Sequence, residues 1–525
     1  MKQIILVPID NRPVTYVYPQ NIARIAGIEA LAPPRQIMGS LSHDASVDAI
    51  HDWIANNLRK HNPEAVLLCA DSIIYGGLIP SRRITTGLAQ LLERAKLFSQ
   101  VKKINARVAT VYAQSSIMRI SDNYDNTEEK AYWTRYGREI FAWSEMLHRT
   151  QAVGDNHPDD KTQAGKLQQL EARIEPSVRD DYLSTRNRNF ELNRKLIDFV
   201  EAESIDLLIF SQDDSGQFGL NVLEKERLLD EAQRRGLNNV IAYAGADEVI
   251  CAMLSRYLLA SLKKTPSVKV SFSPATGASI TSLYEGQTIG ESVQKQLAAA
   301  GLVAAGGSPL TGNDHVAAAG SPLTEGNGAG SPDLHIIIHT GDERQGDHIW
   351  LPDHLDLRSV NTRNAVESTL KLLESSTSPV ILCDVAYANG SDPALVEALL
   401  EKPGLLEKLW GYAGWNTTGN TLGSAFATGV ARWYAEQTNV GPQATKALKD
   451  ALFVRLADDW AFQTNVRSHI ANNASTDQLH QLMSPLLTKI SNALGHQPGP
   501  IQMRLPWQRT FEVEIKLPDS LMPIL

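Results

Sequence analysis

Cysteine is nearly absent. Three residues in a chain of 525 are too few for a disulfide framework. Cys69 and Cys383 stand inside apolar runs and read as small core residues. Histidine is scarce where chemistry would use it, since only His339 ends a strand-like run. No such run is followed by GxGxxG, and GxxxxGK[ST], GxSxG, CxxC and HExxH do not occur. These absences disfavour nicotinamide and P-loop nucleotide chemistry, a nucleophile elbow and the common zinc sites. No segment is apolar for long enough to span a bilayer. Positive charge is in the minority, 50 Lys and Arg against 59 Asp and Glu, and it forms no cluster. A net charge of -9 without a basic stripe argues against a nucleic-acid surface. The opening MKQIILVPIDNRP carries one lysine and a very short apolar run, so it reads as a first strand rather than a signal peptide. A cytoplasmic chain with no membrane or nucleic-acid partner is expected; the oligomeric state is not legible.

What is present is a repeated strand–helix grammar. Short apolar runs at Ile4–Val7, Ile28–Leu31, Ala65–Cys69, Ala106–Ala113, Leu207–Phe210 and Val240–Tyr243 alternate with helical patterns. Continuous apolar runs of this length suit strands buried on both faces of a parallel sheet. Six alternations in the first half predict a Rossmann- or flavodoxin-like sheet, with an incomplete (β/α) barrel as the alternative. A second series, SVKVSFSP, a short strand near Ile280–Tyr284, LHIIIHT, PVILCDVAYANG and LWGYAGWN, predicts another α/β unit. The expected division is 1–262, 263–437 and a mainly helical 438–525 that ends in a short strand. Within the second unit, 303–332 is rich in Gly, Ala and Ser and repeats SPLT; it reads as a flexible surface insertion.

Acidic residues gather at the strand ends. They are Asp10, Asp71, the adjacent Asp213 and Asp214, and the adjacent Asp247 and Glu248. Each one alone suits a helix cap or an Asx-turn. Four such ends on one carboxyl edge are better explained by a ligand-binding cleft. Arg12 and Arg119 stand beyond two of these strands, and Arg82 and Arg83 follow the flexible Gly76-Gly77 as anion contacts. Thr127, followed by acidic residues, suggests a helix start, and Tyr132, Trp133, Tyr136, Phe141 and Trp143 then give an aromatic helix that is either core or a pocket wall. The second series offers Asp342, Asp384, Asn389 and Asp392. The loop GYAGWNTTGNTLG adds Trp415, Asn416 and Asn420. Its glycines suit backbone amides that hold an anion or a sugar hydroxyl, or else a tight turn with a cap. The tail, including Asp458-Asp459-Trp460, is assigned to packing.

PIDNRP, DSIIYGGLIPSRR, SQDD, GADE, DVAYANGSD and GYAGWNTTGNTLG, in this order, resemble the bacterial domain of unknown function 4127 family, and PWQRTFEVEIKL also fits. The resemblance covers nearly the whole chain. It implies an enzyme without assigning an activity. Members more often read Asp-Asp-Arg-Pro at the first loop, and Asn11 here speaks against a catalytic acid or base at that position.

An acid-rich cleft with Arg, Asn, Tyr and Trp suits two chemistries. Glycoside hydrolysis needs two carboxyls with different protonation states and a polar, aromatic sugar site. A hydrolase or isomerase using Mg²⁺ or Mn²⁺ needs several carboxylates, often with histidine. The scarcity of histidine favours the first, with Asp213, Asp214, Asp247 and Glu248 catalytic and no metal or cofactor. Asp10, Arg12, Asp71, Tyr75, Arg119, Asp342, Asp384, Asn389, Trp415, Asn416 and Asn420 would hold a small saccharide. A saccharide-binding protein without catalysis is a further alternative, disfavoured by the number of like charges.

Overall fold

The computed structural model describes residues 2–153, 160–213, 215–303, 331–349 and 357–518. In the first half, β1 (Lys2–Val7), β2 (Ile28–Leu31), β3 (Ala65–Cys69), β4 (Thr110–Ile117), β5 (Leu207–Gln212) and β6 (Val240–Ala244) form one parallel sheet. Their order is β2-β1-β3-β4-β5-β6. β3 and β5 are buried at every position because apolar clusters cover both faces of the sheet. The chain winds from β1 to β2, then returns to the other side of β1 as β3, so the sheet is doubly wound. Among the described residues β2 and β6 do not pair with each other, and the barrel alternative falls.

β7 (Val268–Ser273), β8 (Leu334–His339), β10 (Val380–Asp384) and β12 (Leu409–Ala413) form a second parallel sheet in the order β12-β10-β8-β7. At its carboxyl edge β9 (Gly346–Asp347) pairs with β11 (Tyr387–Ala388). The helices Val249–Leu262 and Thr418–Gln437 are buried over nearly their whole circumference. They pack on each other, and one apolar cluster runs from β1 and β3 through them to β8 and β10. Gly423 permits this approach, since a Cβ there would stand 2.2 Å from Cγ of Glu248. The C-terminal region is mainly helical, with Pro442–Leu456 and Thr476–Leu494 joined through a π-helical turn, Ala457–Val466, then a hairpin of β13 (Gln502–Arg504) and β14 (Glu514–Lys516).

Several local expectations are corrected. β4 begins at Thr110 rather than Ala106, because the Asn105 side chain accepts from Arg107 N and holds a turn there. At its other end β4 runs on through Gln114, Ser115 and Ser116, which pair with β3 and β5. Thr127 does not start a helix: its backbone N–H is bonded by Asp125, and the helix begins at Trp133. Trp133 and Trp143 pack with Tyr182 in a core cluster. The strand expected at Ile280–Tyr284 is reduced to a single bridge between Thr281 and Thr288 after a 3-10 turn. All three cysteines are buried and free. No helix among the described residues is long and apolar enough to cross a membrane. Asp214 and most of the 303–332 segment lie outside the described residues.

Candidate active site

The exit of β1 builds the centre of the site. Asp10 Oδ1 accepts from Arg12 N at 2.9 Å and Thr15 Oγ1 at 2.7 Å, while Oδ2 accepts from Arg12 Nε at 2.9 Å. The turn thus aims the Arg12 guanidinium away from its own strand. It meets Asp247, bonding both carboxylate oxygens. β1 and β6 are not neighbours, so this contact requires the β6 exit to fold back over the sheet edge. Gln114 on β4 holds it there by donating to the Ala246 carbonyl at 2.7 Å, and Asn420 Oδ1 accepts from Asp247 N at 3.3 Å. Burial pushes the Asp247 carboxyl up to about 6, and the attraction of Arg12 only partly offsets it.

The exits of β3 and β5 add a second ionic group beside the first. Asp71 is fully buried, and its Oδ2 accepts from Ser116 N at 2.9 Å while Oδ1 has no protein partner. Burial pushes its carboxyl up. Gly76, at φ +94, lets the following backbone close against Ala45, whose N–H bonds the Gly76 carbonyl at 2.8 Å. Beyond this turn Arg82 reaches Asp213 Oδ2 at 3.0 Å, and Arg119 reaches the same oxygen at 3.2 Å. Both arginines also hold Glu129. Burial raises the neighbouring Glu128, but Arg119, Arg509 and Arg82 outweigh it and hold that carboxyl well below its ordinary range. Asp213 is the more open of the two carboxylates, with a quarter of its side chain exposed. Its charge is felt at Asp247.

The C-terminal segment covers this group, which the assignment of the tail to packing missed. Trp507 Nε1 donates to Asn11 Oδ1 at 2.8 Å, and the Arg12 guanidinium lies over the rings of Trp507 and Phe511 at 5.2 and 5.8 Å. Arg509 reaches Glu128 at 2.7 Å, and Glu512 lies 4.0 Å from Arg12 with its carboxyl pushed up to about 8 by burial. The PWQRTFEVEI stretch was the available signal; Glu128 and Glu129 had none beyond their charge.

Asp10, Arg12, Asp71, Arg119, Asp213, Asp247 and Asn420 are thus brought to one edge. The other candidates stand elsewhere. Tyr75 packs in the core below the turn, with Arg188 5.7 Å from its ring. Glu248 is wholly buried between helices, bonded by Gln296 Nε2 at 2.8 Å, with its carboxyl pushed up to about 8 by burial. Asp342 accepts from Ala365 N and Asn364 N at the start of helix Arg363–Ser375. Asp384 accepts from Asp392 N at 2.8 Å and lies near Tyr412 and His339 in a sealed network. Asn389 donates to Asp347, and its N–H bonds the Asn416 carbonyl; both asparagines adopt left-handed backbone. Trp415 is core, packed edge-on against Phe511. Gly414 N donates to Asp459 and Gly419 N to Glu285. Those two amides of the glycine loop do hold anions, but they are the protein's own.

Among the described residues no group of three or more His, Cys, Asp or Glu is arranged to hold a metal ion. The acids around Asp213 and Asp247 are met by guanidinium groups instead. The family described as Protein of unknown function (DUF4127) matches residues 4–516, and the chain belongs to it. No curated protein and no solved structure matches the chain.

Proposed function

We propose that this chain is a hydrolase acting on a glycosidic bond of a small saccharide. Asp247 is the proton donor and Asp213 the carboxylate that acts with it. The observation that supports this reading is the contrast between two acids at one sheet edge. Asp213 is partly open and accepts from two arginines through a single oxygen, which leaves the other oxygen for chemistry. Asp247 is buried and its carboxyl is pushed up to about 6. Two carboxyls whose surroundings differ in this way divide the roles of acid and base or nucleophile. Asp71 Oδ1, buried without a partner, is a hydrogen-bonding group for a sugar hydroxyl.

The raised carboxyl fixes the sign of the pH dependence. Asp247 carries its proton below about pH 6, so the rate falls as pH rises through that value. A panel of nitrophenyl glycosides, assayed before and after EDTA, tests the reading. Asp213→Asn and Asp247→Asn should each lower kcat by about 10²–10⁴ in protein that remains folded. Cleavage restored only by Mg²⁺ or Mn²⁺ would transfer the case to a metal-dependent hydrolase or isomerase. Saccharide binding without turnover by the wild type would make it a binding protein.

A further inference from the structure

A cavity of about 450 Å³ opens at the carboxyl edge of the second sheet. Its walls include Asp347 and His348 beside β9, Arg358, and Thr464, Arg467 and Ser468 from the end of the π-helical turn and just beyond it. Its size is within the range of small-molecule sites. Arg467 differs from the buried arginines of the first edge. Arg12, Arg82 and Arg119 each pair with carboxylates. The Arg467 guanidinium donates to Gln463 Oε1 at 2.8 Å, and among the described residues it forms no ion pair. Burial pushes it down to about 10, the cost of a cation without a close counter-ion. Among the described residues the one acid lining this cavity is already engaged: Asp347 Oδ1 accepts from Ile349 N and Asn389 Nδ2, and Oδ2 from the Tyr284 hydroxyl. Two guanidinium groups against one satisfied carboxylate give a positive lining in a protein of net charge -9.

We propose that this cavity binds an oxyanion substituent, a carboxylate or a phosphate, on the substrate, so that the saccharide is an acidic one. The proposal rests on the glycosidic reading of the neighbouring site. The two places meet at one side chain: Phe511 has Arg12 at 5.8 Å and Arg467 at 5.6 Å from its ring, and Gln463 Nε2 donates to its carbonyl at 2.8 Å. One ring therefore separates the Arg12–Asp247 pair from the unpaired guanidinium, and Arg467 supplies the donors that suit a planar or tetrahedral oxyanion. His348 contributes differently. Its ring stacks on Tyr387 and its Nε2 bonds the Ser391 carbonyl, while burial pushes its pKa down. The neutral imidazole then keeps Nδ1 as an acceptor for a sugar hydroxyl.

Calorimetry on the full chain, with glucose, glucuronate and glucose 6-phosphate as probes, tests this directly. At least one charged sugar should bind tenfold or more tightly than glucose, and which one gains identifies carboxylate or phosphate as the favoured group. Arg467→Gln should abolish the advantage, and Arg467→Lys should restore part of it. Equal affinity for all three sugars, or an advantage that survives Arg467→Gln, would overturn the proposal. If the variants do not fold, the wild type still decides: the advantage should shrink as salt is raised, and an advantage indifferent to salt would overturn it. Binding is read without turnover, and the EDTA and mutant assay on neutral nitrophenyl glycosides reads the catalytic carboxyls separately. Either result can fail while the other stands.

Discussion

The two sheets end in the same kind of sequence and use it differently. At the first edge, arginines from distant parts of the chain meet Asp10, Asp213, Asp247, Glu128 and Glu129. At the second, Asp342, Asp347, Asp384 and Asp392 are held by backbone N–H groups, an asparagine, a tyrosine hydroxyl and one histidine. Guanidinium partners can be exchanged for a ligand's groups, because both are charged and share polar surroundings. Backbone N–H partners cannot be exchanged without unfolding the loop. The first edge is thus suited to chemistry, and the carboxylates of the second hold loops in place.

The strongest way to break that comparison is Asp392→Ala. Asp392 Oδ2 holds His339 Nε2 at 2.9 Å, and its Oδ1 caps the helix Pro393–Leu400 through Ala394 N. Burial pushes the His339 pKa down, but the hydrogen bond to Asp392, with the nearby charges of Asp384, Asp392 and Asp342, outweighs this and raises it, and Asp392 is the acid bonded to the buried imidazole. Removing that acid should cost about 3–5 kcal/mol in chemical denaturation. A stable Asp392→Ala protein that has lost activity would place chemistry at the second edge instead.

Much of this contrast was invisible in the chain. The strands were legible because a strand buried on both faces must be apolar throughout, and AVLLC, LLIF and VILC are. Strand ends were legible as acids, Asp213 and Asp247 among them. Their partners were not, because pairing of Arg12 with Asp247 depends on a loop folding back across β4, and pairing of Arg509 with Glu128 joins segments 381 residues apart. Glu248 shows the opposite failure. It is adjacent to Asp247 in sequence, but that neighbour faces the arginines while Glu248 turns between two helices.

Glu248→Gln sharpens the comparison by asking whether an acid next in sequence to Asp247 can be inert. Burial raises the Glu248 carboxyl from its ordinary 4.5 to about 8. The folded state therefore prefers the protonated form. That preference contributes fully to stability below pH 4.5 and is lost as pH rises through about 8. Glutamine resembles the protonated acid and does not titrate. Variant and wild type should unfold alike near pH 4.5 and diverge toward pH 8, where the variant should be more stable by on the order of 4 kcal/mol. Its activity should stay within about twofold of wild type, given that among the described residues the Glu248 side chain is bonded by Gln296 and not by the arginines that hold Asp213. A loss of activity comparable to Asp247→Asn would put Glu248 back among the catalytic acids.

The smallest effect is expected at Asp342, and its smallness is informative. The residue stands shortly past β8, as Asp213 stands directly past β5, so in sequence both are acids beyond a strand. In the structure its two oxygens accept from Asn364 N and Ala365 N, orphan donors at the first turn of helix Arg363–Ser375. A carboxylate there also faces the positive end of the helix dipole. Asp342→Ala should then behave as the loss of a cap, costing about 1 kcal/mol of stability, whereas Asp342→Asn should recover most of it because asparagine caps nearly as well. Both variants should cleave at the wild-type rate, whereas Asp213→Asn, also a loss of charge alone, should not. If Asp342→Asn lost rate while keeping its stability, backbone-bonded acids would be able to act as well as arginine-bonded ones, and the distinction between the two edges would fail.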